Sequence, residues 1–258
     1  MEKREKKHVE FSTEKDMIFG IRPIVEAIRS GKTFDKLFVQ KNLTGDLLKE
    51  LMQEIKDERI VYTKVPIEKL NRLTRKTHQG VVGFISPIEF ASIENIIERS
   101  FATGKNPLIL VLDRITDVRN FGAIVRTAEC AGIDAVLVPA QGSAQISSDA
   151  MKTSAGGLNH VAICRAFNLP QTLENMQQSG INLVACTEKT DKTIYEAELS
   201  SPIAIIMGSE QDGISKEIMH LANQKAKIPI FGRIESLNVS TSAGVIIYEA
   251  LRQRMGKI

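Results

Sequence analysis

The sequence predicts an α/β protein with a small N-terminal α/β domain and a larger C-terminal domain, in which a mostly parallel sheet carries helices on both faces. Two observations support this fold class. Beyond residue 108, short apolar runs alternate with segments of helical period, which is the pattern of repeated βα units. The 258 residues, 43% of them hydrophobic, also suffice for one or two domains with their own cores.

The chain is expected to divide into four segments. They are a flexible tail of mixed charge over 1–16, a first domain over 17–88, a linker over 89–107 and a second domain over 108–258. The tail lacks the apolar stretch of a signal peptide. The stretch 98–107 is polar and contains Gly and Pro, which is typical of a linker, and a helical stretch predicted over 93–97 leads into it.

Hydrophobic periodicity and turn residues predict the elements of both domains. In the first domain, helices are predicted over 23–28, 46–55 and 67–73, and strands over 36–39, 60–62 and 81–85. In the second domain, strands are predicted over 108–112, 135–138, 161–164, 181–185, 203–207 and 226–230. Helices are predicted there over 121–131, 148–156, 171–178, 215–221 and 239–254.

Composition excludes several classes of protein. The three cysteines, Cys130, Cys164 and Cys186, are too far apart for a disulfide framework, so we expect a reducing compartment and core packing for all three. The four histidines are scattered, so no metal site is expected. No apolar run is long enough to span a bilayer, and we expect a cytoplasmic protein.

The net charge of +3 does not by itself indicate a nucleic-acid-binding protein. However, Arg72, Arg75, Lys76 and His78 cluster within the first domain. Such a cluster can neutralise RNA phosphates. A solvated helix end explains the same residues equally well, and both interpretations stay open on the sequence alone.

A polar segment follows the predicted strand at 108–112. It runs from Asp113 through Asn120 to Arg126 and lacks the glycine-rich fingerprint of dinucleotide-binding folds. A strand-to-helix junction of this kind favours an anionic ligand at the helix N-terminus. The alternative is a simple helix cap at Asn120 and a salt-bridged surface residue at Arg126.

Two further polar segments follow predicted strands near the C-terminus. Gly208 permits a close approach to the backbone, and Glu210 places a carboxylate at the edge of the sheet. Ser236 and Asn238 precede the last helix, which Asn238 or Ser240 can cap. Because the carboxyl ends of parallel strands share one edge of a sheet, all three segments predict a ligand site there.

These segments carry a family resemblance. Residues 108–254 resemble the catalytic domain of the SpoU (TrmH-like) branch of the SPOUT RNA methyltransferases. The first domain is similar to the ribosomal-protein-like substrate-binding domain of the bacterial group that methylates a guanosine of large-subunit rRNA. The motifs that carry the resemblance are Asn120-x-Gly122-x3-Arg126-Thr127-Ala128, Met207-Gly208-Ser209-Glu210, Ser236-Leu237-Asn238-Val239, Phe19-Gly20 and His78-Gln79-Gly80. One departure is Gln211, where the family often has a second glycine.

The resemblance implies a C-terminal trefoil knot, a homodimer and S-adenosylmethionine as cofactor. It implies ribose 2′-O-methylation of RNA, with a guanosine of 23S rRNA as the expected target. Cofactor contacts are implied at Thr187, Met207, Gly208, Ile228, Ser236 and Leu237, and catalytic roles at Arg126, Asn120, Glu210, Ser236 and Asn238. The alternatives are a tRNA ribose 2′-O-methyltransferase and a non-catalytic RNA-binding assembly factor of the same fold.

Two roles for Arg126 stay open. Accounts of the family assign its counterpart as the general base. A guanidinium hardly loses its proton in proteins, so a clamp on the adjacent phosphate and on developing oxyanion charge is equally physical.

Overall fold

The chain divides into two compact units, Met1–Pro87 and Ile88–Ile258, here called the N-terminal and C-terminal units. The structure is a computed structural model that describes residues 17–256. The expected tail over 1–16 lies outside the described residues. Each unit has its own hydrophobic core.

The N-terminal unit is built on a four-stranded sheet. Its elements are β1 (Met17–Phe19), α1 (Ile21–Arg29), β2 (Phe34–Gln40), α2 (Asp46–Asp57), β3 (Thr63–Val65), α3 (Ile67–Leu73) and β4 (Val81–Ile85). The strand order is β1-β4-β2-β3, with β4 antiparallel to β1 and β2, and β3 parallel to β2. Helices α1 and α2 pack together and bury Ile24 and Leu51 completely.

The C-terminal unit is a six-stranded parallel sheet between two layers of helices, as predicted. Its helices are α4 (Ile93–Ala102), α5 (Val118–Cys130), α6 (Ser148–Thr153), α7 (Leu169–Gln178), α8 (Lys216–Leu221) and α9 (Val239–Met255). Its strands are β5 (Leu108–Leu112), β6 (Ala135–Pro139), β7 (Ala162–Ala166), β8 (Asn182–Cys186), β9 (Ile203–Met207) and β10 (Gln224–Ala226). A short 3₁₀ helix, Gly157–Asn159, lies between α6 and β7.

The strand order β10-β8-β9-β5-β6-β7 places β5 and β9 side by side at the centre of this sheet. Side chains of β5 alternate between two cores: Leu110 packs on the face covered by α5 and α9, and Ile109 packs on the face covered by α4 and α7. From β5 the chain proceeds outward through β6 and β7, then crosses to β8 on the other side. Such a reversal of strand order is where open α/β sheets bind ligands.

The helix caps follow the sequence signals only in part. Helix α5 begins at Val118, before the predicted start at residue 121, and its cap is Asp117 and not Asn120. The Oδ1 of Asp117 accepts a hydrogen bond from the backbone N–H of Asn120 at 2.8 Å. Gly132, with a φ of 68°, follows the end of α5 in the left-handed conformation that glycine adopts readily. Asn238 caps α9 through its Oδ1, which accepts hydrogen bonds from the N–H groups of Ser240 and Thr241.

The largest differences from the sequence predictions concern four elements. The strand predicted over 60–62 is wrong: β3 begins at Thr63, while Ile60 and Tyr62 pack against the core from a loop. The strand predicted over 226–230 ends at Ala226, and Pro229 has no N–H for a ladder. Strand β1 was not predicted, since three residues are too short to show a period. The segment 89–107, predicted as a linker, belongs to the C-terminal unit: the helical stretch predicted over 93–97 extends to Ala102 as α4 and buries Ile93 and Ile97 there.

The end of α9 is fixed to the start of two strands by Arg254. Its guanidinium donates hydrogen bonds to four backbone carbonyls: those of Asn106 (2.6 Å), Pro107 (3.2 Å), Leu199 (3.2 Å) and Ser201 (2.6 Å). Gln253 adds a bond from its Nε2 to the carbonyl of Ala197 at 3.1 Å. The last helix is thereby joined to the segments that precede β5 and β9. The trefoil knot implied by the resemblance stays a prediction.

Replacement of Arg254 by alanine is therefore expected to destabilise the C-terminal unit. Four carbonyls lose a charged donor at once, and we expect a loss of about 2–3 kcal/mol in the free energy of unfolding. Denaturant unfolding followed by circular dichroism measures this loss. Arg254→Lys retains the charge without the planar fork and should recover only part of it. Equal stability of native and Arg254→Ala proteins would contradict the role of this residue.

Candidate active site at the carboxyl ends of β5 and β9

Three polar side chains from distant parts of the chain converge beyond β5 and β9. The Nδ2 of Asn120, on the first turn of α5, donates to Glu210 Oε1 at 2.9 Å. The Nδ2 of Asn238 donates to the same Glu210 oxygen at 2.9 Å and to Asn120 Oδ1 at 3.1 Å. These contacts join all three polar segments identified in the sequence. We call this cluster the Asn120–Glu210–Asn238 triangle.

The triangle leaves one carboxylate oxygen open. Both amides bind Oε1 of Glu210, and Glu210 Oε2 has no hydrogen-bond partner among residues 17–256. The Glu210 side chain is exposed, whereas Asn120 is half-buried. The arrangement thus presents a fixed carboxylate whose second oxygen can accept a hydrogen bond from a ligand hydroxyl.

Glu210 belongs to a tight loop, residues 208–213. Ser209 and Gly213 exchange two backbone hydrogen bonds, of 3.1 and 2.9 Å, which close the turn. A Cβ at Gly208 would lie 2.1 Å from the carbonyl carbon of Gly213 and 2.2 Å from the nitrogen of Ile214. The close approach predicted at Gly208 is therefore made by the loop's own backbone. Gln211 is exposed at the tip of the turn.

The 208–213 loop is also held by two residues whose role the sequence analysis missed, Asp113 and Arg114. The Oδ2 of Asp113 accepts a hydrogen bond from the N–H of Ser215 at 2.6 Å. The guanidinium of Arg114 donates to the carbonyl oxygen of Gly213 at 3.1 Å. The signal in the sequence was their position directly after an apolar strand, where site residues concentrate.

A second group of the predicted residues lies at the ends of β8, β9 and β10. The N–H of Thr187 donates to the carbonyl of Ala226 at 2.9 Å, and Thr187 and Met207 are buried. Ile228 is partly buried against the core. The N–H and C=O groups of residues 228–237 form no backbone hydrogen bonds within the described part of the chain. This segment therefore offers hydrogen-bond donors and acceptors beside the apolar side chains of Met207 and Ile228. Such a combination suits a small ligand with both polar and apolar parts.

Arg126 is separate from the triangle. It is exposed, and it has no hydrogen-bond or ion-pair partner among residues 17–256. Six residues beyond Asn120, its Cα lies roughly 9 Å further along the helix. Ser236, likewise exposed, makes no hydrogen bond to the triangle within the same residues.

Comparison with known proteins identifies the family. The model of the SpoU rRNA Methylase family matches residues 107–248, and a model described as RNA 2′-O ribose methyltransferase substrate binding matches residues 17–91. The chain belongs to the SpoU family. A TrmH family tRNA/rRNA methyltransferase of Staphylococcus saprophyticus is 32% identical over 93% of this chain and 97% of its own length.

Solved structures agree with this assignment. The SpoU methyltransferase AviRb of Streptomyces viridochromogenes, in complex with AdoMet, has a TM-score of 0.59 and 23% identity, covering 93% of this chain and 90% of its own. A TrmH/SpoU tRNA-modifying enzyme of A. aeolicus has a TM-score of 0.54 and 31% identity, covering 64% of this chain and 85% of its own. This SpoU protein is therefore an S-adenosylmethionine-dependent RNA methyltransferase with a substrate-binding domain at its N-terminus.

In this SpoU chain the predicted RNA contacts fall into two classes. Arg72, Arg75 and Lys76 are exposed, and the ammonium of Lys76 lies 5.7 Å from the ring centroid of Phe19. His78 is only 7% exposed, its Nδ1 accepts the N–H of Gly80 at 3.0 Å, and its Nε2 lies 2.9 Å from Asn71 Oδ1. Both ring nitrogens are occupied by hydrogen bonds within the N-terminal unit, so His78 has no free nitrogen for an RNA contact.

The three cysteines differ in burial. Cys164 is buried and Cys186 partly so, but Cys130, at the end of α5, is exposed, so core packing was wrong for it. Burial raises the pKa of the Cys186 thiol to about 12, and Glu188 adds to the shift. This thiol beside the site therefore stays protonated at neutral pH and is a poor methyl acceptor.

Within residues 17–256, no cluster of His, Cys, Asp or Glu could hold a metal, and no helix is long and apolar enough to cross a membrane.

Proposed function

We propose that this protein methylates the ribose 2′-hydroxyl of a guanosine in 23S rRNA. The single observation that carries the proposal is the Asn120–Glu210–Asn238 triangle, which holds an open carboxylate oxygen at the carboxyl ends of β5 and β9. A carboxylate oxygen can orient a hydroxyl by accepting its hydrogen bond, and the proposed reaction places the methyl group on a hydroxyl. The match of a ribose methyltransferase substrate-binding model to residues 17–91 supports the same reaction.

The residues at the strand ends fit the cofactor. S-adenosylmethionine, when bound, supplies the activated methyl group. Thr187, Met207, Gly208 and Ile228 would line its apolar side, while Ser236 and Leu237 lie in the 228–237 segment whose backbone groups can bind its polar atoms. We propose all six as cofactor contacts.

The chain's own residues then align and polarise the acceptor. Glu210 Oε2 would accept the hydrogen bond of the 2′-hydroxyl, hold its oxygen in line for displacement and take up its proton as the oxygen receives the methyl group. Asn120 and Asn238 keep the carboxylate in place through Oε1. We propose that Arg126 binds the neighbouring phosphate and stabilises negative charge that develops on the oxygen. Ser236 would contact the substrate or the cofactor.

Arg126 does not reach the triangle within one chain, which favours assembly of the site across a homodimer. Two large apolar side chains in the segment before α9, Phe231 and Ile234, are 95% and 78% exposed. Exposed apolar surface of this kind marks a contact with another molecule. We propose that a second copy covers this surface and contributes its own Arg126 to the site.

The N-terminal unit favours rRNA over tRNA as substrate. In support, the tRNA-modifying enzyme of A. aeolicus matches 64% of this chain, whereas the substrate-binding model matches residues 17–91. A tRNA ribose 2′-O-methyltransferase is the second candidate. A non-catalytic assembly factor is the third, but Asn120, Arg126 and Glu210 are all present. Mapping of 2′-O-methyl sites in rRNA and tRNA from cells with and without the gene tests the proposal. Loss of one methylated guanosine in 23S rRNA is expected, and an unchanged rRNA map would refute it.

RNA capture is assigned to the N-terminal unit. Simultaneous replacement of Arg72, Arg75 and Lys76 by alanine should weaken RNA binding. It should also reduce the steepness of log K against log salt by about 2–3, since each phosphate contact contributes roughly 0.7–0.9. Filter binding at several salt concentrations measures both quantities. Cofactor affinity, measured by calorimetry, should not change.

A matched control removes the same charge from the same unit. Lys32, Lys49 and Lys56 are exposed residues outside the cluster, and their replacement by alanine should leave most of the RNA affinity. If both triple variants lost the same affinity and the same salt slope, charge alone would account for binding and the assigned contacts would be wrong.

A further inference from the structure

We propose that Arg114 is a positioning residue for methyl transfer. Its guanidinium holds the 208–213 loop so that Glu210 stays bonded to Asn120 and Asn238. The inference deepens the proposed function and rests on it, because the loop matters for turnover only if Glu210 orients the acceptor. Arg114 itself touches neither substrate nor cofactor in this account.

Three contacts of the half-buried Arg114 side chain support this role. Its Nη2 donates to the carbonyl oxygen of Gly213 at 3.1 Å, and its Nη1 lies 3.4 Å from Asp212 Oδ2. Its Nε lies 3.3 Å from Asp113 Oδ1. One end of the guanidinium is thus anchored on the residue that follows β5, and the other holds the closing side of the turn.

Asp113 fixes the two ends of the same loop. It is 3% exposed, its N–H donates to the carbonyl of Met207 at 2.8 Å, and its Oδ2 accepts from the N–H of Ser215 at 2.6 Å. Asp113 therefore ties the segments on both sides of the loop to the end of β5. The turn itself is tied to Asp113 by Arg114.

The backbone conformation of Arg114 supports a functional role for its side chain. Its φ is 59°, in the left-handed region where a residue with a Cβ is disfavoured and glycine is not. Residues held in such conformations concentrate at functional sites, where the surrounding structure maintains them. At this position an arginine is conformationally costly, while its guanidinium makes contacts that glycine would lose.

Loss of the tether would act on Glu210. Inside the loop, the turn is closed by the Ser209–Gly213 pair and by a bond from the N–H of Asp212 to Ser209 Oγ at 3.1 Å. These contacts keep the turn's shape, while its position relative to β5 depends on Arg114 at Gly213 and on the two amides that bind Glu210. Without Arg114 the two amides hold the turn alone, so the turn moves more easily and the fraction of molecules with Glu210 in the triangle falls.

Arg114→Gly separates positioning from folding, because it removes the tether and also relieves the left-handed backbone. Turnover at saturating RNA and cofactor should fall about tenfold, as expected for loss of a charge-assisted hydrogen bond. The melting temperature should stay within about 2 °C of the native value or rise. Amide exchange over 209–213 should become faster. Arg114→Lys, which keeps the charge and the costly backbone, should retain intermediate turnover.

Arg59→Gly is the matched control. Arg59 also has a left-handed backbone, with a φ of 50°, and its exposed side chain has no hydrogen-bond or ion-pair partner among residues 17–256. The same strain is relieved in the N-terminal unit without loss of a tether. Turnover of this variant should equal that of the native protein.

Two results would overturn the proposal. One is full turnover by Arg114→Gly. The other is a turnover that falls only in step with the melting temperature, because a merely structural residue moves both together. If the native chain transferred no methyl group at all, the proposed function would fail instead. Amide exchange would then still decide the tether, since unchanged protection over 209–213 in Arg114→Gly contradicts it.

Discussion

Arg126→Ala is expected to lower methyl transfer by about 10²–10³-fold, because a positioned charge that acts mainly in the transition state contributes on that scale. Cofactor affinity should stay close to native, since Arg126 lies on α5 and none of the proposed cofactor contacts does. Single-turnover transfer of a labelled methyl group measures the first quantity, and calorimetry measures the second. Full activity of Arg126→Ala would refute both proposed roles and leave Glu210 as the leading catalytic residue.

Arg126→Lys distinguishes the two roles. Lysine keeps a positive charge and loses its proton more readily, but it lacks the bidentate fork of the guanidinium. If Arg126 acts as a proton acceptor, the lysine variant should show activity that climbs with pH. If it clamps phosphate and oxyanion charge, as we propose, the variant should be weak at every pH.

Gly208→Ala is expected to have the second largest effect. A Cβ at this position would lie between 2.1 and 2.4 Å from backbone atoms of Gly213 and Ile214, where no rotamer change can relieve the contact. The 208–213 loop must move, and with it Glu210 and the end of β9. We expect loss of cofactor binding in calorimetry, loss of methyl transfer and a destabilisation of about 1–3 kcal/mol.

A glycine elsewhere in the unit provides the control. A Cβ at Gly244, inside α9, would meet only the Cγ2 of Thr127 at 3.8 Å, an ordinary contact. Gly244→Ala should stabilise the protein by about 0.5–1 kcal/mol, because alanine favours helix. Native cofactor affinity in Gly208→Ala would show that the loop accommodates a side chain, contrary to this account.

Much of the C-terminal unit was predictable because its signals are local. The apolar runs over Leu108–Leu112 and Ile203–Met207 coincide with the central strands β5 and β9, since a strand buried on both faces reads as continuous apolar sequence. The N-cap at Asn238 and the left-handed Gly132 follow from rules about a few neighbouring residues. Strand β1 was missed and β10 was misplaced, because three residues are too few to show a period.

The site itself was predicted as a set of segments and not as a geometry. Asn120 is 90 residues from Glu210 and 118 from Asn238, so no local pattern specifies which atoms meet. His78 shows the opposite limit: a histidine beside basic residues looks like an RNA contact until its ring is found buried and bonded. The tether by Arg114 depends on a left-handed backbone at a residue that rarely adopts it, which sequence rules do not anticipate.

The most direct test of the central claim is the identity of the methylated product. The purified chain is incubated with labelled S-adenosylmethionine and with 23S rRNA or tRNA, and the RNA is digested and its nucleosides are separated by mass spectrometry. We predict labelled 2′-O-methylguanosine from rRNA, and almost none when Arg126→Ala replaces the native protein. A methyl group on a base, or the same yield of ribose methylation from Arg126→Ala, would contradict the account.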